Sequence, residues 1–174
     1  AWFDLDTTQY ADGIYTIQFT ATDNNGNRDG IGSRFFSIDN SPQQPADYYV
    51  SVNGSDVNNG KTENTAFRTI NKAFTVVQPG ETIRILAGTY SEEVRIENLG
   101  SASAPITLMG VSGQTVLDGG GTLALGLWFE YCDNLVFKDM EIRNYTDIGI
   151  GVSGCDTVEI SNLVVHNNGH AVQL

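Results

Sequence analysis

From Thr82 onward the chain is a succession of short apolar alternations: TIRIL, EVRIE, PITLMG, TVLDG, LALGLWF, NLVFK, MEIR, IGIGV, TVEIS and LVVH. Turn residues separate nearly all of them. Apolar residues at every second position mark strands with one buried face. Two stretches are related to each other. CDNLVFKDMEIRN begins at Cys132 and CDTVEISNLVVHN at Cys155, an offset of 23 residues, with Cys, Asp and the closing Asn identical. Leu135, Phe137, Met140 and Ile142 in the first are answered by Val158, Ile160, Leu163 and Val165 in the second. A period of about 20–25 residues with two or three short strands in each is the signature of a solenoid of stacked β coils.

The clearest period predicts strands at 134–138, 140–143 and 148–152, with Leu135, Phe137, Met140, Ile142, Ile148, Ile150 and Val152 facing inward. Coils stack at about 4.8 Å, so like packs on like, Phe137 over Ile160 and Met140 over Leu163. Asp139 and Asn162 take the bend between the first two strands, because Asn and Asp tolerate left-handed backbone. Stacked bend residues of this kind form a hydrogen-bonded ladder.

Upstream the pattern changes. In TINKAFTVV, Ile70, Ala73, Phe74 and Val77 follow helical spacing, Thr69 is the cap, and Pro79-Gly80 is the stop. YYVSV is a short strand, followed by the polar loop NGSDVNNGKTEN. SPQQPAD, residues 41–47, holds two prolines among polar neighbours and predicts a linker. In residues 1–40, Ile14, Thr16, Gln18 and Thr20 alternate with Tyr15, Ile17, Phe19 and Ala21. NNGN then makes a hairpin turn and SRFFSID returns. A hairpin cannot bury a face alone.

Two resemblances follow from these motifs. DLDTTQYADGIYTIQFTATDNNGN resembles the last third of an immunoglobulin-like domain of bacterial surface proteins, so residues 1–40 are expected to be the C-terminal part of such a β-sandwich. Residues 48–174 carry YYVSVNGSDVNNGKTENTAFRTINKAF, GETIRILAGTYSEEVRI, PITLMG and TVLDGGG, with the signatures AGTY and VLDG. They resemble the N-terminal region of right-handed parallel β-helix proteins of the pectate-lyase-like superfamily. The resemblance implies an all-β solenoid of ~23-residue coils with an N-terminal capping helix. Many relatives carry Pro where this chain has Val52, Asn59 and Ala66. Relatives also run many coils further, so the sequence is expected to be a fragment at both ends, completed by the rest of its own chain or by other copies.

Charge narrows the partners. Lys and Arg number 9 against 21 Asp and Glu, a formal charge of −12. Such a surface repels nucleic acid and anionic lipid, and it repels acidic polysaccharide unless a cation intervenes. No apolar run approaches the ~20 residues of a membrane span. The resemblances imply an extracellular or cell-surface setting and a polysaccharide or other surface glycan as partner.

In relatives that are enzymes, the active site lies on the first sheet of the coils. Lyases there use Ca²⁺ on clustered Asp to neutralise a uronate, and Lys or Arg as the base. The proton is abstractable only when the neighbouring carboxylate is neutralised and the base is held deprotonated. The strands at 125–129 and 148–152 correspond to that sheet, with Gly126, Trp128, Glu130, Gly149, Gly151 and Ser153 outward. They supply no Asp cluster, Lys or Arg, so any catalytic residues are expected outside this sequence. Trp128 stands out as a flat platform for a sugar ring, although burial under a loop or the hairpin suits an amphipathic ring equally. Glu130 shares its face. Arg143 and His166 stack outward on another sheet, either to meet an anionic group or as solvated polar positions.

Asp23, Asn25, Asn27 and Asp29 alternate like the start of a calcium loop. The Gly falls at position four of that stretch and no terminal Glu follows, so a plain hairpin turn explains most of it. Cys132 and Cys155 stack with parallel side chains, which disfavours a disulfide and predicts free thiols. Two functions fit these readings. One is a segment of a secreted carbohydrate-active protein, lyase or hydrolase if an enzyme, whose β-helix binds polysaccharide. The other is a non-catalytic adhesive or structural surface protein with immunoglobulin-like spacers.

Overall fold

The computed structural model describes residues 5–11, 13–38 and 45–173. The chain forms two compact units, Ala1–Pro45 and Ala46–Leu174.

The first unit is a hairpin of β1 (Gly13–Thr22) and β2 (Arg28–Ile38), paired antiparallel with a register shift between Phe19 and Thr20. Tyr15 and Ile17 are half-buried while Ile14 is 80% exposed, as the alternation requires. Asp23 closes the turn by accepting from the backbone N–H groups of Asn25 (2.8 Å) and Asn27 (2.9 Å) and from Asn27 Nδ2 (2.8 Å). These bonds stabilise the ionised carboxylate and lower its pKa.

The second unit is a right-handed parallel β-helix. After β3 (Tyr48–Val50), four coils follow. The first is β4 (Thr82–Ile85), β5 (Gly88–Tyr90) and β6 (Val94–Glu97). The second is β7 (Ile106–Met109), β8 (Thr115–Asp118) and β9 (Leu125–Glu130). The third is β10 (Asp133–Arg143) and β11 (Ile148–Ser153), and the fourth β12 (Asp156–His166) and β13 (His170–Gln173). Strands β6, β9, β11 and β13 make the first sheet. Strands β3, β4 and β7 with the front halves of β10 and β12 make the second, and β5 and β8 with the back halves make the third.

β10 and β12 turn the corner between these last two sheets without breaking. Asp139 (φ 63°) and Asn162 (φ 49°) sit at that corner in left-handed backbone. Asn162 Nδ2 donates to Asp139 Oδ1 at 2.6 Å, so the bend ladder is physically joined. Three further left-handed pairs recur at the same offset: Tyr131 with Gly154, Asn134 with Thr157, and Asn144 with Asn167.

The register stacks like on like: Leu135 on Val158, Phe137 on Ile160, Met140 on Leu163, Ile142 on Val165 and Arg143 on His166. Inside, Phe129 packs between Phe74 (ring centroids 5.7 Å apart) and Phe137 (4.7 Å). Each fully buried Phe, Leu or Ile contributes about 1.5–3 kcal/mol. Helix α1 (Ile70–Phe74) is capped by Thr69, whose side chain accepts from the Lys72 N–H, and buries Ile70, Ala73 and Phe74. It is shorter than its spacing predicts. Val77 is buried, but it enters from the turn after Thr75 rather than from the helix.

Candidate functional site

The outer face of the first sheet is the candidate site. Arg95, Trp128, Gly151 and Gln173 stand side by side across its four strands. Glu97, Glu130 and Ser153 form the next row. Trp128 is half-buried and its ring lies over the Gly151 backbone: a Cβ added at Gly151 would fall 2.2 Å from Trp128 Cε3 and 2.4 Å from Cζ3. Only glycine leaves room for the ring there. Trp128 Nε1 is buried and has no hydrogen-bond partner among the described residues.

Tyr131 repeats the arrangement three residues on. It is 66% exposed, and a Cβ at Gly154 would lie 2.7 Å from its Cδ1. Each ring therefore covers the glycine that follows it by one coil. Pattern reading missed Tyr131, because it lies past the end of β9 and belongs to no alternation.

Two expectations for this face are corrected. A Cβ at Gly126 would meet Ile142 Cγ2 at 3.1 Å, and one at Gly149 would meet Val165 Cγ1 at 2.9 Å. Ile142 is a core residue and Val165 packs against the core, so both glycines face the corner of the interior, not solvent. Ile148 moves the other way. It is buried outside the core cluster, with Cγ2 3.3 Å from the Cβ position of Gly151, beside Trp128. The alternation slips at the start of β11, where 126 and 149 leave the register pairing that 125–148 and 127–150 keep. On β6, a strand outside those read from the sequence as this sheet, there is a cation. Arg95 lies in register with Trp128. Its Nη2 is 2.9 Å from Glu130 Oε2 and its Nε 3.2 Å from Glu97 Oε1. Hydrogen bonds to Glu130 and Glu97 raise its pKa still further, the reverse of what a proton-abstracting base needs.

Arg143 and His166 lie outward on the third sheet, as read from the sequence, but carboxylates engage them. Arg143 Nε bonds Asp118 Oδ2 at 2.8 Å and its Nη1 bonds Glu141 Oε1 at 2.6 Å; His166 Nε2 lies 3.0 Å from the same Glu141 oxygen. Side-chain hydrogen bonds from Asn144 and Arg143 lower the Asp118 pKa to about 2. An anionic ligand at Arg143 would have to displace two carboxylates.

The acids of SEEVRI are structural. Glu92 accepts from the N–H groups of Ile70 (2.9 Å) and Asn71 (3.2 Å), tying α1 to the first coil. Burial raises its pKa. Glu93 Oε1 accepts from the N–H groups of Ala124 (2.6 Å) and Leu125 (3.1 Å). Cys132 and Cys155 are free thiols, with the Cys132 N–H donating to Cys155 Sγ at 3.3 Å. Among the described residues no group of three or more His, Cys, Asp or Glu side chains is placed to hold a metal ion. Asp23, Asn25 and Asn27 are brought together by the hairpin turn, in which the Asp23 carboxylate already accepts three hydrogen bonds. Asp29 lies across the ladder from Ala21, on β2.

The model of the Pel9A-like right-handed β-helix region matches residues 48–174. The chain belongs to the Pel9A-like β-helix family. Over 113 residues it is 32% identical to the uncharacterized protein YwoF of Bacillus subtilis strain 168, a match covering 65% of this chain and 22% of the relative. The chain thus spans about a fifth of that protein. Among solved structures, a rhamnogalacturonan lyase superposes with a TM-score of 0.55 at 20% identity, over 70% of this chain and 36% of the lyase. A GH136 lacto-N-biosidase from Eubacterium ramulus gives 0.52 at 15% identity, over 67% and 26%. At these identities the likeness is one of fold. The Pel9A-like coils share their architecture with both a polysaccharide lyase and a glycoside hydrolase. No described helix is long and apolar enough to cross a membrane.

Proposed function

We propose that the Pel9A-like coils belong to an extracellular carbohydrate-active protein and bind polysaccharide on the outer face of the first sheet, with Trp128 as the sugar platform. The observation that carries this reading is the ring of Trp128 laid on Gly151. A flat, half-buried indole offers an apolar surface to the C–H face of a pyranose. Its rigidity limits the entropy lost on binding. The fold shared with a lyase and a glycosidase supports the same class of partner. No cleavage is assigned to these coils, because the Arg95 guanidinium is held charged between two carboxylates. The test is affinity electrophoresis of the whole chain through gels containing individual polysaccharides. Wild type is expected to be retarded on at least one gel and Trp128→Ala to migrate as on a blank gel. Equal mobility of both on every polysaccharide would remove the proposal.

A further inference from the structure

Building on the first-sheet binding reading, we infer that the face selects neutral glycans, which it holds on two aromatic platforms, Trp128 and Tyr131.

The two rings are spaced by three residues. Tyr131 lies just past the end of β9 in left-handed backbone (φ 52°), so a glycan that runs along the strand and off its end can reach both rings. Both rings are positioned by the same device, a glycine one coil later whose Cβ would strike the ring at 2.2 Å (Gly151) or 2.7 Å (Gly154). The glycines serve different local needs. Gly154 has φ +61°, a conformation that favours glycine on backbone grounds alone, whereas no such φ accompanies Gly151. At Gly151 the ring itself is the reason that a side chain is excluded.

The charges around the platforms decide the glycan class. A uronate-rich chain needs a cation with a free valence, from a side chain or a bridging metal. Arg95 is the cation in register with Trp128, and Glu97 and Glu130 both engage it, which leaves an excess of one negative charge in that cluster. At the strand start His170 Nδ1 sits 3.3 Å from Asp147 Oδ1. Gly151, Ser153 and Gln173 add no charge to these rows, and Ile148 is buried beside Trp128. The whole chain carries −12. A polyuronate therefore meets repulsion, while a neutral chain meets two apolar planes beside a row of fixed hydrogen-bond acceptors. Glu130, held by Arg95, is placed to accept from sugar hydroxyls next to Trp128.

The experiment compares the full chain on gels of neutral polysaccharide (xyloglucan, mixed-linkage β-glucan, galactan, galactomannan) with gels of homogalacturonan and rhamnogalacturonan, each with added Ca²⁺ or with chelator. Retardation is expected on at least one neutral gel and on no acidic gel under either condition. Trp128→Ala should weaken binding about tenfold, enough to return the chain to its blank-gel mobility, and Tyr131→Ala about threefold, the scale of one aromatic contact. Gly151→Ala keeps both rings yet should weaken binding as much as Trp128→Ala, because it pushes the indole off its seat. Trp128→Phe should retain part of the affinity, which separates a lost platform from a misfolded chain, and circular dichroism of each variant checks the fold. Retardation on acidic gels alone would overturn the neutral selectivity and leave first-sheet binding standing. Neutral binding indifferent to Trp128 and Tyr131 would overturn the platform pair. No retardation on any gel would take down the underlying binding reading as well.

Discussion

The first and third sheets of this solenoid ride on the same coils, yet their outer faces differ in how far they engage the neighbouring coil. On the third sheet, charge meets charge: Asp118, Arg143, Glu141 and His166 form a continuous chain of contacts across three coils. On the first sheet, beyond the single Arg95–Glu130 pair of its first two strands, a large ring meets a glycine, Trp128 on Gly151, and just past the strand ends Tyr131 meets Gly154. The first arrangement consumes its functional groups in holding the stack. The second leaves two flat surfaces open. Stacking at a fixed interval sets which residues meet, and the residue types at those positions decide whether a face is closed or available.

The strongest test of this contrast sets inward positions against outward ones. Phe129→Ala removes a fully buried ring from between Phe74 and Phe137 and is expected to cost about 3–5 kcal/mol, read by urea denaturation. Trp128→Ala, its immediate neighbour, should cost far less stability while abolishing binding. If the two variants denature alike, the outer ring is a stability element and the contrast fails. Next in size, Gly151→Ala inserts a Cβ at 2.2 Å from the indole and should cost about 1–3 kcal/mol.

A smaller effect reports on the charge ladder. The Asp118 carboxyl is held at about 2, below its usual 3.8, by Asn144 first and Arg143 second. A depressed carboxylate contributes stability that is complete above its unfolded pKa and is lost as pH falls through the folded value. The contribution of Asp118 should therefore be full above about pH 4 and gone near pH 2. Partial exposure to solvent screens the pair. Asp118→Asn is thus expected to lose about 1 kcal/mol at pH 7 and to flatten the acid limb of the stability curve. An unchanged acid limb would show that the ladder does not hold the stack. Smallest of all, His166→Ala should change stability by no more than about 0.5 kcal/mol and leave gel retardation unaltered, since it removes one contact at the exposed end of the ladder.

Much of this architecture was legible in the sequence. The offset between Cys132 and Cys155 gave the register of β10 on β12 residue for residue, including the bend at Asp139 and Asn162. What escaped had physical causes. Arg95 pairs with Trp128 across 33 residues, because the turns after β6 are longer than those between the later coils, so a 23-residue step does not align them. Ile148 and Gly149 exchange the faces assigned to them because the backbone slips where the strand leaves the corner occupied by Tyr145. That ring is itself anchored by a hydrogen bond from its hydroxyl to the Glu92 carbonyl at 2.9 Å. The roles of Glu92 and Glu93 depend on backbone N–H groups 21 to 32 residues away, which no local pattern encodes. The opposition of Trp128 and Gly151 was in reach: both were read as outward on one sheet, and their 23-residue separation places them in contact.

The central claim is that the open face is the first sheet and the closed face the third. Affinity electrophoresis of Trp128→Ala beside Arg143→Ala, on whichever polysaccharide retards the wild type, tests it most directly. The account predicts that Trp128→Ala loses retardation and Arg143→Ala keeps it at the wild-type level. Retardation lost with Arg143→Ala and kept with Trp128→Ala would contradict it.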